Sequence, residues 1–219
     1  MPGLFAPEVG FAAAGIVIGA GGWLGYDTYR KSILRNWTAV AEKLGGTLVT
    51  DGPGNRWKIK GRLGDRPAFL QEDVSHEEAA AYHHTRGSLN IQNPAHLIIG
   101  LRHKSMLEEV VTQKDESGVT TGVAEFDRQF FFISNVPEMA ATLFDQELQK
   151  ELHRHSDLEI YLRSSSIEWR RSGKVKSSTE IMRLFDAIQR IAVLVGELEP
   201  RTLTADQRVA ESELIAKTI

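Results

Sequence analysis

The residues in this 219-residue chain that are able to do chemistry are few, and their spacing suits little of it. His76-Glu77-Glu78 opens like a zinc-protease helix, in which two histidines four residues apart share one face. Position 80 is Ala80, so that pair is missing. His76, His83 and His84 remain a cluster, and His153 and His155 form a second close pair. Neither has the ligand spacing of a structural metal site, so both read as solvated surface and no metal is expected. Asp127 sits between aromatics, Phe126 and Phe130, in what reads as a core strand. A buried acid there fits a turn cap or a partner for Arg128 better than a functional carboxyl. Glu108-Glu109 and Asp115-Glu116 are adjacent carboxylates in polar stretches. Nothing beside them would tune a pKa for acid–base work.

Other chemistries lack their motifs. Arg171-Ser-Gly-Lys174 has a Gly-Lys pair without the upstream glycine of a phosphate loop. No G-x-G-x-x-G follows a strand pattern, and no G-x-S-x-G elbow offers a nucleophilic serine. The chain has no cysteine, which excludes disulfides, thiolate metal sites and Cys nucleophiles. The expectation is a protein that is not an enzyme, with no catalytic residues and no cofactor.

Charge is more informative. Arg56, Lys58, Lys60 and Arg62 alternate with Trp57, Ile59 and Leu63, so four cations share one strand face. They are candidates for contact with anionic lipid headgroups, each contributing about 1 kcal/mol near such a surface. The commoner fate is pairing with acids on the next strand, here Glu72 and Asp73. Nucleic acid is not an expected partner. The net charge is −3 with a pI near 6.2, and the alternation turns Trp57 inward, away from any base.

The elements that must position these residues follow from periodicity. Residues 29–44 read as a helix, with Ile33, Leu34, Trp37, Val40, Ala41 and Leu44 at helical spacing and Gly45-Gly46 as the stop. Strands are expected at 47–50, 56–63, 68–74, 87–92, 96–103 and 122–134. A helix opens at Pro137 and runs to Leu152, a hairpin joins 158–162 to 167–171, and 178–198 is a long amphipathic helix. Short connections make the sheet largely antiparallel with helices packed on one face, an α+β class.

Before these elements, residues 9–26 form an 18-residue window without charge. A hydrocarbon core about 30 Å thick takes roughly 17–25 helical residues to span, so the expected fold begins with a transmembrane helix. A cleaved signal peptide would need cations before the window, and none is there. Trp23 and Tyr26 suit the headgroup layer, and Arg30, Lys31 and Arg35 follow. Residues 28–70 carry nine Lys/Arg against three Asp/Glu, which by the positive-inside rule places the following domain in the cytoplasm, at the inner membrane. Gly15/Gly19 and Gly21/Gly25 have the small-xxx-small spacing that packs helices closely in lipid. The expected organisation is a single-pass anchor over 1–27, a juxtamembrane helix over 28–44, a cytoplasmic α+β domain over 45–200, and a tail or short helix over 201–219.

The stretch Glu125-Phe-Asp-Arg-Gln-Phe130, continued to Ile133, gives an F-D-x-x-F-x-x-I signature. With the helix, hairpin and long helix after it, it resembles bacterial membrane-anchored domains of unknown function. The resemblance covers about a third of the chain. It implies a domain beside an anchor and carries no catalytic residues.

Two functions follow. The first is an accessory or scaffold subunit that packs into a larger respiratory, photosynthetic or transport complex, with integral membrane subunits and the bilayer as partners. The alternative is a membrane-tethered domain that binds a small molecule or anionic lipid, or an enzyme without recognisable motif, drawing on His76, His83, His84 and Asp127.

Overall fold

The computed structural model describes residues 28–51, 56–77, 80–104, 118–155 and 157–202. Among them, eight strands form one sheet: β1 (Thr47–Asp51), β2 (Arg56–Leu63), β3 (Arg66–Glu77), β4 (Ala80–Asn90), β5 (Ile99–His103), β6 (Phe130–Ser134), β7 (Leu158–Leu162) and β8 (Ser166–Ser172). Their spatial order is β1-β2-β3-β4-β8-β7-β5-β6, and the pairings are antiparallel. Helix α1 covers residues 28–43. It is followed by α2 (Ala124–Gln129), α3 (Pro137–Leu143), α4 (Gln146–Leu152) and α5 (Ser178–Gly196).

One row of residues crosses all eight strands on the same face: Leu48, Ile59, Leu70, Gly87, Trp169, Ile160, Leu101 and Phe132. Directly opposite residues of antiparallel strands share a face, so this row marks the side on which the core is built. The helices lie against it through aromatic contacts. Trp37 of α1 meets Trp57 at 5.6 Å between ring centres, and Phe185 of α5 meets Trp169 at 5.9 Å. Phe144, between α3 and α4, meets Phe132 at 4.8 Å. Burying each such side chain is worth roughly 1.5–3 kcal/mol.

The two long helices are held by specific caps and ties. Ser177 accepts a hydrogen bond from the Glu180 N–H at 3.3 Å and starts α5. The α1 indole of Trp37 donates to the Val175 carbonyl at 3.0 Å. At the end of α1, the chain passes so close to β2 that a Cβ on Gly61 would stand 2.5 Å from the Leu44 carbonyl oxygen.

The expected fold class is corrected at its beginning. The architecture is α+β with an eight-stranded antiparallel sheet and helices, and among the described residues no helix is long and apolar enough to cross a membrane. The reason lies in the faces of the two longest. Helix α1 buries Ile33, Trp37, Val40, Ala41 and Leu44 in the core but carries Arg30, Lys31, Arg35, Glu42 and Lys43. Helix α5 likewise interrupts its apolar stripe with Glu180, Arg183, Asp186 and Arg190. Both are amphipathic, as helices covering a sheet must be, and not apolar all round. The window 9–26, with Gly15, Gly19, Gly21, Gly25, Trp23 and Tyr26, lies outside the described residues, as does the tail from 203 on.

Three local expectations also change. The segment 122–134 divides into helix α2 and strand β6. Asp127 causes the division: its carboxylate accepts from the Thr121 N–H at 2.9 Å, the Thr121 hydroxyl at 2.8 Å and the Gly122 N–H at 3.2 Å, closing a turn that starts a helix. Phe126 then stacks on Phe130, one helical turn on, at 4.7 Å. The helix expected over 137–152 breaks at Phe144, because the Asp145 side chain caps a new helix by accepting from the Leu148 N–H at 2.9 Å. The strand expected from His96 starts at Ile99. The Asn93 side chain takes both polar groups of Leu97 into a turn, with His96 at φ 51°.

Gly87 leaves no room for a side chain. Its missing Cβ would lie 2.3 Å from the Trp169 indole, which is fully buried. Gly87→Ala is expected to destabilise by about 1–3 kcal/mol through overpacking, read as a lower urea midpoint.

Candidate functional site

The helices leave the opposite face of the sheet uncovered by any described helix contact, and the register assigns its residues. Lys58, Gln71, Arg86, Arg170, Glu159 and Arg102 form one row across β2, β3, β4, β8, β7 and β5. Lys60, Phe69, Ser88, Glu168 and Tyr161 form the next. Arg56 and Arg62 belong to the same face of β2 by alternation. Lys60 and Arg62 are exposed, while Arg56, Lys58 and Arg86 are half-buried by their neighbours.

The two acids expected to neutralise this stripe divide between the faces. Glu72 lies on the helix-covered side, where it pairs with Lys174 at 2.7 Å and accepts from the Trp57 N–H at 3.2 Å. Lys174 in turn stands 3.5 Å above the Trp57 ring. Asp73, one residue on, belongs to the open face, opposite His84. A single step along a strand reverses the side chain, so adjacent acids serve opposite faces.

Farther along the open face, side chains from four strands connect. Arg102 Nε donates to the Tyr161 hydroxyl at 3.0 Å, and that hydroxyl donates to Glu159 Oε2 at 3.1 Å. Arg170 lies 3.8 Å from the same carboxylate and donates to His84 Nε2 at 2.8 Å. An arginine cannot accept, so this bond requires the proton of a neutral His84 on Nδ1. Burial, helped by the Glu159 charge and opposed by Arg102, pushes the Tyr161 phenol above its ordinary value of 10. Tyr161 is therefore a fixed donor, unsuited to act as a base. Sequence reading missed this network. The only signal for it was Glu159 and Tyr161 alternating with Leu158, Ile160 and Leu162.

A cleft of about 330 Å³ opens between α2 and α4. Val123 and Phe126 line it with Gln146, Gln149, Lys150 and His153, and Glu125 completes the rim. Its volume is at the low end of small-molecule pockets.

With this geometry in view, comparison with known proteins adds one fact. No family model matches the chain, and no curated protein matches it. The fold is similar to a solved one. It is that of the crystal structure of the mycobacterial trehalose monomycolate transport factor A, TtfA. The TM-score is 0.50 at 11% sequence identity, over 78% of this chain and 98% of that one. At this identity the likeness concerns the fold alone, and a fold hosts many functions.

The other candidate residues scatter. His76 stands opposite Ala81, and His83 opposite Val74, in the β3–β4 hairpin. They are register positions on a ribbon and do not stack as turns of a helix. Among the described residues no group of histidines and carboxylates is placed to hold a metal ion. Asp127 is spent on its turn, as described above. Gly173 adopts φ 71° in the turn after β8, and the Lys174 beside it is committed to Glu72. Arg30, Lys31 and Arg35 are exposed on α1, which packs on the far side of the sheet from the β2 cations. Glu108, Glu109, Asp115 and Glu116 lie outside the described residues.

His153 and His155 part company: the first is exposed beside the cleft, the second is 6% exposed. His155 Nδ1 lies 3.7 Å from Glu180, and its Nε2 lies 4.0 Å from Glu151. Glu180 also pairs with Arg171, which holds Asp157 at 2.5 Å, so the cluster ties α5 to β8. Burial and the Arg171 charge lower the His155 pKa from 6.5, against the pull of Glu180, Glu151 and Asp157. The folded protein thus binds fewer protons than the unfolded chain just below pH 6.5. Its stability falls as pH drops from that value through the lowered one. His155→Gln removes this titration. Its melting temperature is expected to fall less than that of the unsubstituted protein between about pH 7 and pH 5, measured by circular dichroism.

Proposed function

We propose that the chain is a non-enzymatic accessory factor of a membrane-associated transport assembly, with its sheet domain docking on other proteins of that assembly. The observation that carries this reading is the fold likeness to TtfA, which takes in 98% of that chain. TtfA is a transport factor by name, and the likeness of fold supports a similar place for this protein. Two features of the site agree with it. The linked polar side chains lie along one face of the sheet, and among the described residues the cleft between α2 and α4 is lined by no serine, threonine or other hydroxyl nucleophile. Enzyme sites are concave and bring their groups together. The resemblance of the F-D-x-x-F-x-x-I stretch to membrane-anchored bacterial domains fits the same role.

Isolation of the tagged full chain from its native membranes in mild detergent tests the proposal. The expected result is a native mass well above 24.4 kDa, with a transport protein co-isolating in fixed ratio. A lone species of 24.4 kDa would remove the reading.

The cleft favours a second reading, a small-molecule-binding domain. Native mass spectrometry of the purified chain would then find a bound species that is lost when Lys150→Glu reverses the charge at the rim. A spectrum of bare protein alone counts against it.

A further inference from the structure

We propose that the open face of the sheet, at its β2–β4 end, rests on the headgroups of an anionic bilayer. This deepens the transport-factor reading by naming a surface that its sheet domain contacts.

The case begins with charge counted by face. Among the described side chains of the strands, the open face holds seven Lys/Arg against three carboxylates, Asp73, Glu159 and Glu168. Glu159 is already engaged by Tyr161 and Arg170. Glu72, which would have offset the β2 cations, is turned to the other side and held there by Lys174. The chain is acidic as a whole, with a net charge of −3, so this excess is a property of one face and not of the composition.

The arrangement selects the kind of anion. Alternate residues on a strand stand about 6.6 Å apart, so Arg56, Lys58, Lys60 and Arg62 form a line about 20 Å long. Arg86 lies two strands away in the row of Lys58. These cations are strung along β2 and across to β4. A small anion would be met by one or two of them. An extended sheet of negative charge is met by all. Val49 of β1, opposite Lys58 and 44% exposed, adds an apolar side chain on the same face. Among the described residues the aromatic-anchored helices lie on one side of the sheet, and a face resting on headgroups needs no helix to cover it.

The test uses the purified full chain with vesicles of phosphatidylcholine alone and with about one-third phosphatidylglycerol, reading the ratio of the two partition coefficients. That ratio isolates the electrostatic part from any neutral association of the chain. The wild-type ratio is expected to be well above one and to collapse when salt shortens the screening length from about 10 Å to about 3 Å. Lys60→Gln with Arg62→Gln is expected to lower it about fivefold per charge removed, and Arg86→Gln by about fivefold more. Unchanged circular dichroism would confirm that these surface variants fold. Arg183→Gln, exposed on α5 across the sheet, is expected to leave the ratio within about twofold. A wild-type ratio near one overturns the proposal, and binding to poly-glutamate in that case assigns the face to an acidic protein. An unchanged ratio for the β2 variants overturns it, and so does loss of the ratio in the α5 variant. The vesicles contain no partner protein. Failure here therefore leaves the transport-factor reading standing, and a lone species in native isolation leaves this one standing.

Discussion

The Trp169 indole occupies the space that a side chain on Gly87 would fill, and Phe185 closes over it from α5. This interlock sits in the middle of the sheet, where β4 pairs with β8 and joins the β1–β4 meander to the β5–β8 half. It decides which face of the sheet is the core. The register runs through all seven pairings without a slip, so the parity chosen at Trp169 propagates outward to Leu48 at one edge and Phe132 at the other. With the helices drawn to one face, every strand residue is assigned either to packing or to the open side.

Charge is sorted by the same parity. On the covered face, ions are paired and half-buried: Lys174 with Glu72 beneath the indoles, Arg171 with Asp157 and Glu180 beside His155. Removing one partner from such pairs leaves a charge without compensation, so they hold α1 and α5 in place more by the cost of breaking them than by net attraction. On the open face, among the described strand side chains, cations outnumber carboxylates. Structural and candidate functional charges thus come from neighbouring residues of the same strands, as Glu72 and Asp73 illustrate.

The fold likeness to TtfA and the open cationic face are independent kinds of support. A fold says how a chain solves the burial of its apolar surface, and very different sequences arrive at one solution. The open face contributes less to that solution: Tyr161 is buried there, while Lys60 and Arg62 are exposed. A linked Arg102–Tyr161–Glu159–Arg170–His84 strip occupies its other end.

Local periodicity made much of the molecule legible. The alternation of Arg56 to Leu63 identified β2 and the face of its cations, the β7–β8 hairpin was readable within a residue or two, and the apolar stripe of α5 was plain. Periodicity misled where two periods coincide. Phe126, Phe130 and Phe132 share the parity of a strand, but a step of four is also one helical turn, and only the turn closed by Asp127 resolved the ambiguity. What the sequence by itself determined was the period of each segment, because a side chain's direction relative to its neighbours follows from local backbone geometry. Only the tertiary structure decided that β4 lies beside β8, that Glu72 meets Lys174, and that His84 meets Arg170 86 residues away. Those contacts depend on which strands pair and in what register, and that is settled by burying Trp169 and its row as one surface.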